Sequence, residues 1–216
     1  SEIVRNTVDE LQKLGAFPFI VPAMGSHGGA TAAGQRKVLA EYGITEETMG
    51  VPIRASMDTV YLGQTDCGVD VYFDRIVDEE ADGFIVLARI KPHPELKGTI
   101  ESGILKMLSV GLGKHKGASY LHLGGMKALA KGMPAVGEFL LEHTSFIFAV
   151  GIIENAYHET AHLEIVTKQD LPSREEQLLL LAKKWMPRLY FDEIDVLVIE
   201  EVGKNISGAG MDSNIT

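Results

Sequence analysis

Residues 83–94 read GFIVLARIKPHP, a continuous apolar run that leads directly into a lysine and a histidine flanked by prolines. An apolar run bounded by glycine and proline is typical of a strand buried on both faces of a parallel sheet. Similar runs at residues 17–22, 146–153 and 195–199 alternate with stretches of helical periodicity. This alternation predicts an α/β fold with a mostly parallel, Rossmann-like sheet and helices on both faces.

Weaker patterns predict the remaining elements. Helices are expected at residues 3–14, 31–42, 101–110 and 173–188, and short strands at 51–54, 59–63, 69–73 and 163–167. The sequence Gly132-Met133-Pro134 predicts a break between two helical pieces, because proline suits a helix start. Ser173 and Glu176 have capping-box spacing. We expect residues 1–200 to form an α/β cofactor-binding catalytic domain and residues 201–216 to begin a second domain or a connecting segment of a longer protein.

Charge and composition argue against several classes of partner. The 216 residues carry a formal net charge of -10, and no lysine or arginine cluster interrupts this acidic character. Nucleic acid and anionic membranes are therefore unfavourable partners, and an anionic substrate would need a local positive site. No apolar run reaches the roughly 18 residues of a membrane helix. A single cysteine, Cys67, allows no internal disulfide and fits a cytoplasmic location.

Titratable residues follow each strong apolar run. In parallel sheets, ligands bind beyond the carboxyl ends of the strands. We therefore expect His27 and His93 to face one pocket. The polar residues that follow the four runs are His27; Lys91 and His93; Glu154 and Asn155; and Glu200, Glu201, Lys204 and Asn205.

Each candidate also has an ordinary structural interpretation. His27 lies among glycines before a helix start, where an anion could bind, but a tight turn has the same composition. The prolines around His93 would fix a general base or simply stiffen a surface loop. Lys106 shares a helical stripe with Ser102 and Ser109, which also describes a solvated face.

Two further motifs are less specific. Residues 111–117, GLGKHKG, could hold a phosphate through backbone N–H groups and lysines, or could be a flexible connection between helices. His158 and His162 match the H-E-x-x-H zinc motif, but the motif requires a helix and this segment falls between two strand-like runs. Cys67 lacks the context of an activated nucleophile.

Several stretches, taken in order, resemble the lactate racemase family, whose racemases and epimerases use a nickel-pincer nucleotide. They are AMGSHGGAT at residues 23–31, KPH at 91–93, ESGILK at 101–106, the 111–117 segment and His122. The resemblance implies a nicotinate-derived cofactor joined to Lys106, with His122 as nickel ligand and His27 and His93 as the acid/base pair. Small 2-hydroxy acids and cofactor-maturation enzymes are the implied partners. Placing Gly111, Gly113 and Lys114 near the cofactor phosphate is our own expectation.

The chemistry implied by the resemblance is physically consistent. Imidazole cannot readily remove a proton from carbon beside a carboxylate, whereas transfer of that hydrogen as hydride avoids a carbanion. Only the hydroxyl proton then needs a base, a role that suits histidine. Sulfur and imidazole ligands suit square-planar Ni(II).

The chain departs from the family pattern in two places. Gly28 stands where an arginine follows the first histidine, and 13 residues separate His93 from Lys106. The substrate is therefore left open among hydroxy acids. The alternatives are a non-catalytic ligand-binding α/β domain and a zinc hydrolase that uses His158 and His162.

Overall fold

The computed structural model describes residues 1–203 and 210–215. The elements in chain order are α1 (Glu2–Lys13), α2 (Ala32–Glu41), α3 (Glu46–Met49), β1 (Thr59–Gln64), β2 (Asp70–Asp74), α4 (Arg75–Glu80), β3 (Phe84–Arg89), α5 (Ile104–Lys106), α6 (Lys114–His122), α7 (Gly125–His143), β4 (Phe146–Glu154), β5 (Thr160–Thr167) and α8 (Ser173–Trp185). A single 3-10 turn occupies Gly28–Ala30, and a π-helical turn, Met107–Gly111, directly continues α5.

The apolar run at the centre of the sequence forms β3, as predicted. It pairs in parallel with β4, with Val86 opposite Ala149 and Arg89 opposite Ile152. The segment between them contains α5, α6 and α7, so β3 and β4 are the strands of a parallel crossover. β5 then adds to β4 in antiparallel orientation and completes a sheet of order β3-β4-β5.

One face of this sheet packs against helices. Ala149 and Val166 are fully buried on it, and the Cδ1 atom of Leu178 on α8 lies 3.5 Å from where a Cβ on Gly151 would be. Leu163 and Ile165 point to the opposite face and are 49% and 64% exposed. The contact with α8 therefore lies on the more deeply buried face of the sheet.

A separate hairpin precedes this sheet. β1 and β2 pair in antiparallel orientation, with an irregularity in the register between Tyr61 and Gly63. Asp74 ends β2 and caps α4, since its Oδ1 accepts hydrogen bonds from the N–H groups of Ile76 (2.8 Å) and Val77 (3.3 Å). The strands predicted at residues 59–63 and 69–73 are thus confirmed.

The α/β class is confirmed, although the sheets are small and contain more antiparallel pairing than predicted. Two strand predictions are wrong. Residues 17–22 and 51–54 form no strands and are joined only by an isolated parallel bridge between Ile20 and Ile53. Residues 195–199 form no strand either, and Val198 is 84% exposed. An apolar run becomes a strand only where a partner strand is available for its backbone, and periodicity does not report this.

The helical predictions need three corrections. The helix expected at residues 101–110 begins only at Ile104 and changes to π-helical pairing after Lys106. α7 continues through Pro134, because its neighbour Met133 is fully buried and packing outweighs the lost hydrogen bond. Ser173 does not cap α8; its hydroxyl donates to the carbonyl of Asp170 (3.1 Å).

No helix in the described part of the chain is both long enough and apolar enough to cross a membrane. The division of the chain after residue 200 stays a prediction.

Candidate functional site

The segment after β3 turns back on itself. The N–H of Lys91 donates to the carbonyl of Ser102 (3.0 Å), and the N–H of Ser102 donates to the carbonyl of Lys91 (3.3 Å). This pairing closes the loop that contains His93 and returns the chain to the start of α5. The carboxyl end of β3 therefore brings Lys91, His93 and the helix of Lys106 together.

Glu101 holds this loop in place. It is 2% exposed, and its Oε2 accepts a hydrogen bond from the backbone N–H of His93 (2.7 Å). Its Oε1 forms an ion pair with Lys183 of α8 (2.7 Å). A charged carboxylate with both oxygens engaged fixes the loop more firmly than neutral hydrogen bonds would.

The ring of His93 is fixed by its own loop. Its Nδ1 accepts hydrogen bonds from the N–H groups of Glu95 (3.1 Å) and Leu96 (2.9 Å). The neutral ring must then have its proton on Nε2, which leaves Nε2–H as a donor. Desolvation, followed by the nearby charge of Lys106, lowers the pKa of His93 from 6.5 to about 4. The ring is therefore neutral at physiological pH.

Lys106 is half-buried at the junction between α5 and the π-helical turn. Desolvation, followed by the charge of Lys91, lowers its pKa from 10.5 to about 8. Within the described residues its ammonium has no hydrogen-bond or ion-pair partner. A lysine of this kind has a substantial fraction of neutral amine near pH 7 to 8, which is the nucleophilic form.

A second buried carboxylate supports the backbone at Lys106. Glu175 of α8 is 1% exposed, and its Oε2 accepts a hydrogen bond from the N–H of Leu105 (3.0 Å). This N–H belongs to the first turn of α5 and has no partner inside the helix. Burial raises the pKa of Glu175 to about 7, while hydrogen bonds from Leu105 and Ile104 oppose the shift.

The loop of His27 rests against the same helical region. The N–H of Gly25 donates to the carbonyl of Gly111 (3.1 Å), one turn beyond Lys106. A Cβ on Gly25 would lie 3.0 Å from the carbonyl oxygen of Val110 and 3.4 Å from the Cβ of Ala118, and its φ of +57° also favours glycine. The backbone can therefore approach both α6 and the π-helical turn closely.

The ring of His27 has the opposite hydrogen-bond arrangement to that of His93. Its Nδ1 lies 2.8 Å from the carbonyl oxygen of Met24, so Nδ1 carries the proton. Nε2 is left as an acceptor on an exposed side chain. This arrangement suits a general base, whereas that of His93 suits a hydrogen-bond donor.

His122 is the last residue of α6 and is exposed. Its Nδ1 lies 2.6 Å from the carbonyl oxygen of Ala118, which leaves Nε2 available for a metal ion. Metal-binding histidines commonly have the second nitrogen held in this way. Among the described residues, no group of three or more His, Cys, Asp or Glu side chains could hold a metal by itself.

The 111–117 segment packs closely against other parts of the fold. A Cβ on Gly111 would lie 2.7 Å from the carbonyl oxygen of Ala23, and one on Gly113 would lie 2.4 Å from that of Ser109. Lys114 is fully buried; its ammonium lies 2.6 Å from both Asp74 Oδ2 and the carbonyl oxygen of Pro22. These contacts give the segment a structural role, and the phosphate contacts expected of Gly111, Gly113 and Lys114 stay a prediction.

His158 and His162 do not have the helical arrangement that the H-E-x-x-H zinc motif requires. His158 lies in the turn between β4 and β5 with a φ of +62°, and His162 is on β5. The Nε2 of His162 is paired with Glu164 (2.9 Å). The two histidines do not share a helical face, so the zinc hydrolase alternative is wrong.

Comparison with known proteins extends the resemblance at the level of fold. The structure is similar to that of the lactate racemase apoprotein from Thermoanaerobacterium thermosaccharolyticum, with a TM-score of 0.58 and 14% sequence identity. The similarity covers 81% of this chain and 45% of that chain. The two share a fold, and the chain spans less than half of the racemase. No protein-family model and no curated protein sequence matches the chain.

The structure places the predicted site residues in two groups. His93 and Lys106 are electrostatic neighbours, and the loop of His27 meets the helix of His122 at Gly25. No hydrogen bond links His27 to His93 among the described residues, and their facing one pocket stays a prediction. Sequence patterns assigned no role to the buried carboxylates: Glu101 lies in the ESGILK stretch, but its contacts with His93 and Lys183 are not local, and Glu175 belongs to no recognisable motif. Lys204 and Asn205 lie outside the described residues.

Proposed function

We propose that the chain is the α/β portion of an enzyme that racemises or epimerises a small 2-hydroxy acid with a nickel-pincer nucleotide attached to Lys106. The main support is Lys106 itself, a half-buried lysine beside His93 that has a depressed pKa and no ion-pair partner in the described part of the chain. A lysine that must form a covalent bond needs a neutral amine, and this environment provides one. The fold similarity to a lactate racemase apoprotein points the same way.

The residues present fit this group. Lys106 would hold the nucleotide through its Nζ, and His122 would offer Nε2 to nickel. When bound, the nickel-pincer nucleotide supplies an electron-poor centre that can take the C2 hydrogen of the substrate as hydride and return it to either face. Enzymes that install this cofactor are then required partners.

The two histidines would handle the hydroxyl group. His27, with Nε2 free to accept, would take the hydroxyl proton of the substrate and return it to the oxygen of the product. His93, with Nε2–H as donor, would hold the substrate oxygen and keep it oriented. Neutral imidazole acts as a donor where desolvation depresses its pKa, which is the situation of His93.

The direct test is attachment. The full-length protein is co-expressed with cofactor-making enzymes, and intact mass and nickel content are compared for the wild type, Lys106→Arg and the exposed control Lys184→Arg. We expect an adduct on Lys106 and about one nickel per chain in the wild type and the control, and neither in Lys106→Arg. Absence of an adduct from the wild type would instead support the alternative, a non-catalytic ligand-binding domain.

A further inference from the structure

Gln35 is a polar side chain in the first turn of α2, and its amide contacts the loop of His27. The side chain is fully buried. Its Nε2 donates one hydrogen bond to the carbonyl oxygen of Gly25 (2.9 Å) and a second to the carbonyl oxygen of His27 itself (3.3 Å). A single amide from α2 therefore holds the backbone of this loop at two points.

The carbonyl group of Met24 lies beside this held backbone and determines the state of the His27 ring. Its oxygen accepts a hydrogen bond from the backbone N–H of His27 (3.1 Å) and lies 2.8 Å from the ring Nδ1. The hydrogen bond of one ring nitrogen decides which tautomer a neutral imidazole adopts. If the turn of residues 24–27 were released, the ring would exchange between both tautomers.

Backbone contacts fix the distance between this turn and α2. Gly28 and Gly34 are the chain neighbours of His27 and Gln35, and a Cβ built on Gly34 would lie 1.8 Å from the carbonyl oxygen of Gly28. Thr31 joins the same two glycines, since its hydroxyl donates to the carbonyl of Gly28 (3.1 Å) and accepts from the N–H of Gly34 (3.0 Å). At this fixed distance, the length of the glutamine side chain lets its amide reach both carbonyl groups.

The burial of Gln35 is otherwise unfavourable. Its Oε1 is buried and has no hydrogen-bond partner among the described residues. An unpaired buried oxygen destabilises a fold, and methionine, an apolar side chain of similar length, would fill the space without one. The two hydrogen bonds to the loop of His27 are therefore what the amide contributes at this position.

We propose that Gln35 is a positioning residue for His27, which holds the turn of residues 24–27 so that Nδ1–H faces Met24 and Nε2 is left as an acceptor. The hydrogen bonds and the tautomer do not depend on the reaction. Only the catalytic consequence rests on the proposed function, in which Nε2 of His27 takes the hydroxyl proton of the substrate.

The first test uses the apoprotein, so that it does not depend on cofactor loading. Nitrogen-15 NMR at about pH 8, where an ordinary imidazole is neutral, reads the tautomer of His27. The variants are Gln35→Met, which lacks the amide, and Gln35→Asn, whose amide is one methylene too short. Gln12→Met, on the exposed side of α1, is the control. A thermal unfolding temperature close to that of the wild type establishes that a variant is folded.

We expect the proton of His27 to reside on Nδ1 in the wild type and in Gln12→Met, and to exchange between both nitrogens in the two Gln35 variants. His93 should keep its proton on Nε2 in every protein, because its Nδ1 accepts from its own loop. Retention of the Nδ1 tautomer of His27 in folded Gln35→Met overturns the proposal.

A measurement on the wild type needs no variant to fold. The side-chain amide hydrogens of Gln35 should exchange with solvent at least about tenfold more slowly than those of Gln12, because they are buried and hydrogen-bonded. Equal exchange rates would also overturn the proposal.

The cofactor-loaded protein then tests the catalytic consequence on the hydroxy acid that the wild type turns over. In Gln35→Met, kcat should fall about tenfold or more with little change in KM, because a displaced base weakens the transition state more than it weakens substrate binding. A loss of kcat without a change of tautomer overturns the proposal. A change of tautomer without a loss of kcat keeps Gln35 as the residue that holds His27 and rejects His27 as the base. Absence of an adduct on Lys106 rejects the proposed function and does not affect the apoprotein result.

Discussion

Glu175 lies directly against Gly103: a Cβ built on Gly103 would come within 2.1 Å of the Glu175 Oε1 atom. The same carboxylate accepts the N–H of Leu105, the residue before Lys106. A side chain from α8 therefore determines where the helix of Lys106 begins, and position 103 must remain glycine for that carboxylate to fit. Lys106 owes its position to a contact with a residue about 70 positions away in the chain.

The contact predicts a measurable coupling. Gly103→Ala should destabilise the protein by about 1–3 kcal/mol, because the added methyl group must displace a buried carboxylate. Glu175→Ala removes the obstacle, so the double variant should be less destabilised than the sum of the two single changes. Urea unfolding of the four proteins gives the coupling energy. Strict additivity would mean that the two residues are not in contact in solution.

Glu175 also predicts a dependence of stability on pH. Its pKa is raised from 4.5 to about 7 in the folded state, so the folded protein binds more protons than the unfolded chain between these values. The free energy of unfolding contributed by this group must therefore fall as pH rises from about 4.5 to 7, by up to about 3 kcal/mol. Glu175→Gln should lose this dependence. The difference between the two unfolding curves, measured across this range, isolates the group.

The two histidines should show opposite tautomers. In nitrogen-15 NMR spectra at neutral pH, the proton of His93 should reside on Nε2 and that of His27 on Nδ1, because their Nδ1 atoms accept and donate respectively. The same tautomer in both rings would remove the distinction between base and donor.

His93 also makes stability depend on pH. Its pKa in the folded protein, about 4, lies below the ordinary 6.5, so its contribution to stability is present above pH 6.5 and is lost as pH falls toward 4.

His122 should govern nickel retention without governing attachment. Since His122 would supply Nε2 to the metal, His122→Ala should keep the adduct on Lys106 but lose nickel at least about tenfold more readily. His115→Ala, on the same helix, is the matched control. Nickel content after dialysis against a chelator, read alongside intact mass, separates the two effects. Equal nickel retention in both variants would remove His122 from the metal site.

The sequence was informative where apolar pattern and backbone pairing coincide. β3 and β4 were predictable because each is a continuous apolar run whose partner strand is present. The run at residues 195–199 has the same composition but lacks a paired neighbour, so the pattern alone was misleading. His93 and Lys106 could be located through motifs, whereas Glu175 could not, since its role depends on a contact that no local spacing encodes.

Lys114 has a structural role that sets it apart from Lys106 of the candidate site. Its fully buried ammonium joins Asp74, which caps α4, to the carbonyl of Pro22, which leads into the loop of His27. Lys114→Met should cost about 3–5 kcal/mol, because it leaves the carboxylate of Asp74 buried without its counterion. Lys116→Met, which removes an exposed ammonium stacked on the ring of Tyr72, should cost about 1 kcal/mol or less. Chemical denaturation compares the two. A Lys114 variant as stable as the Lys116 variant would show that the buried ion pair does not hold the loop and would reopen a ligand-binding role for this lysine.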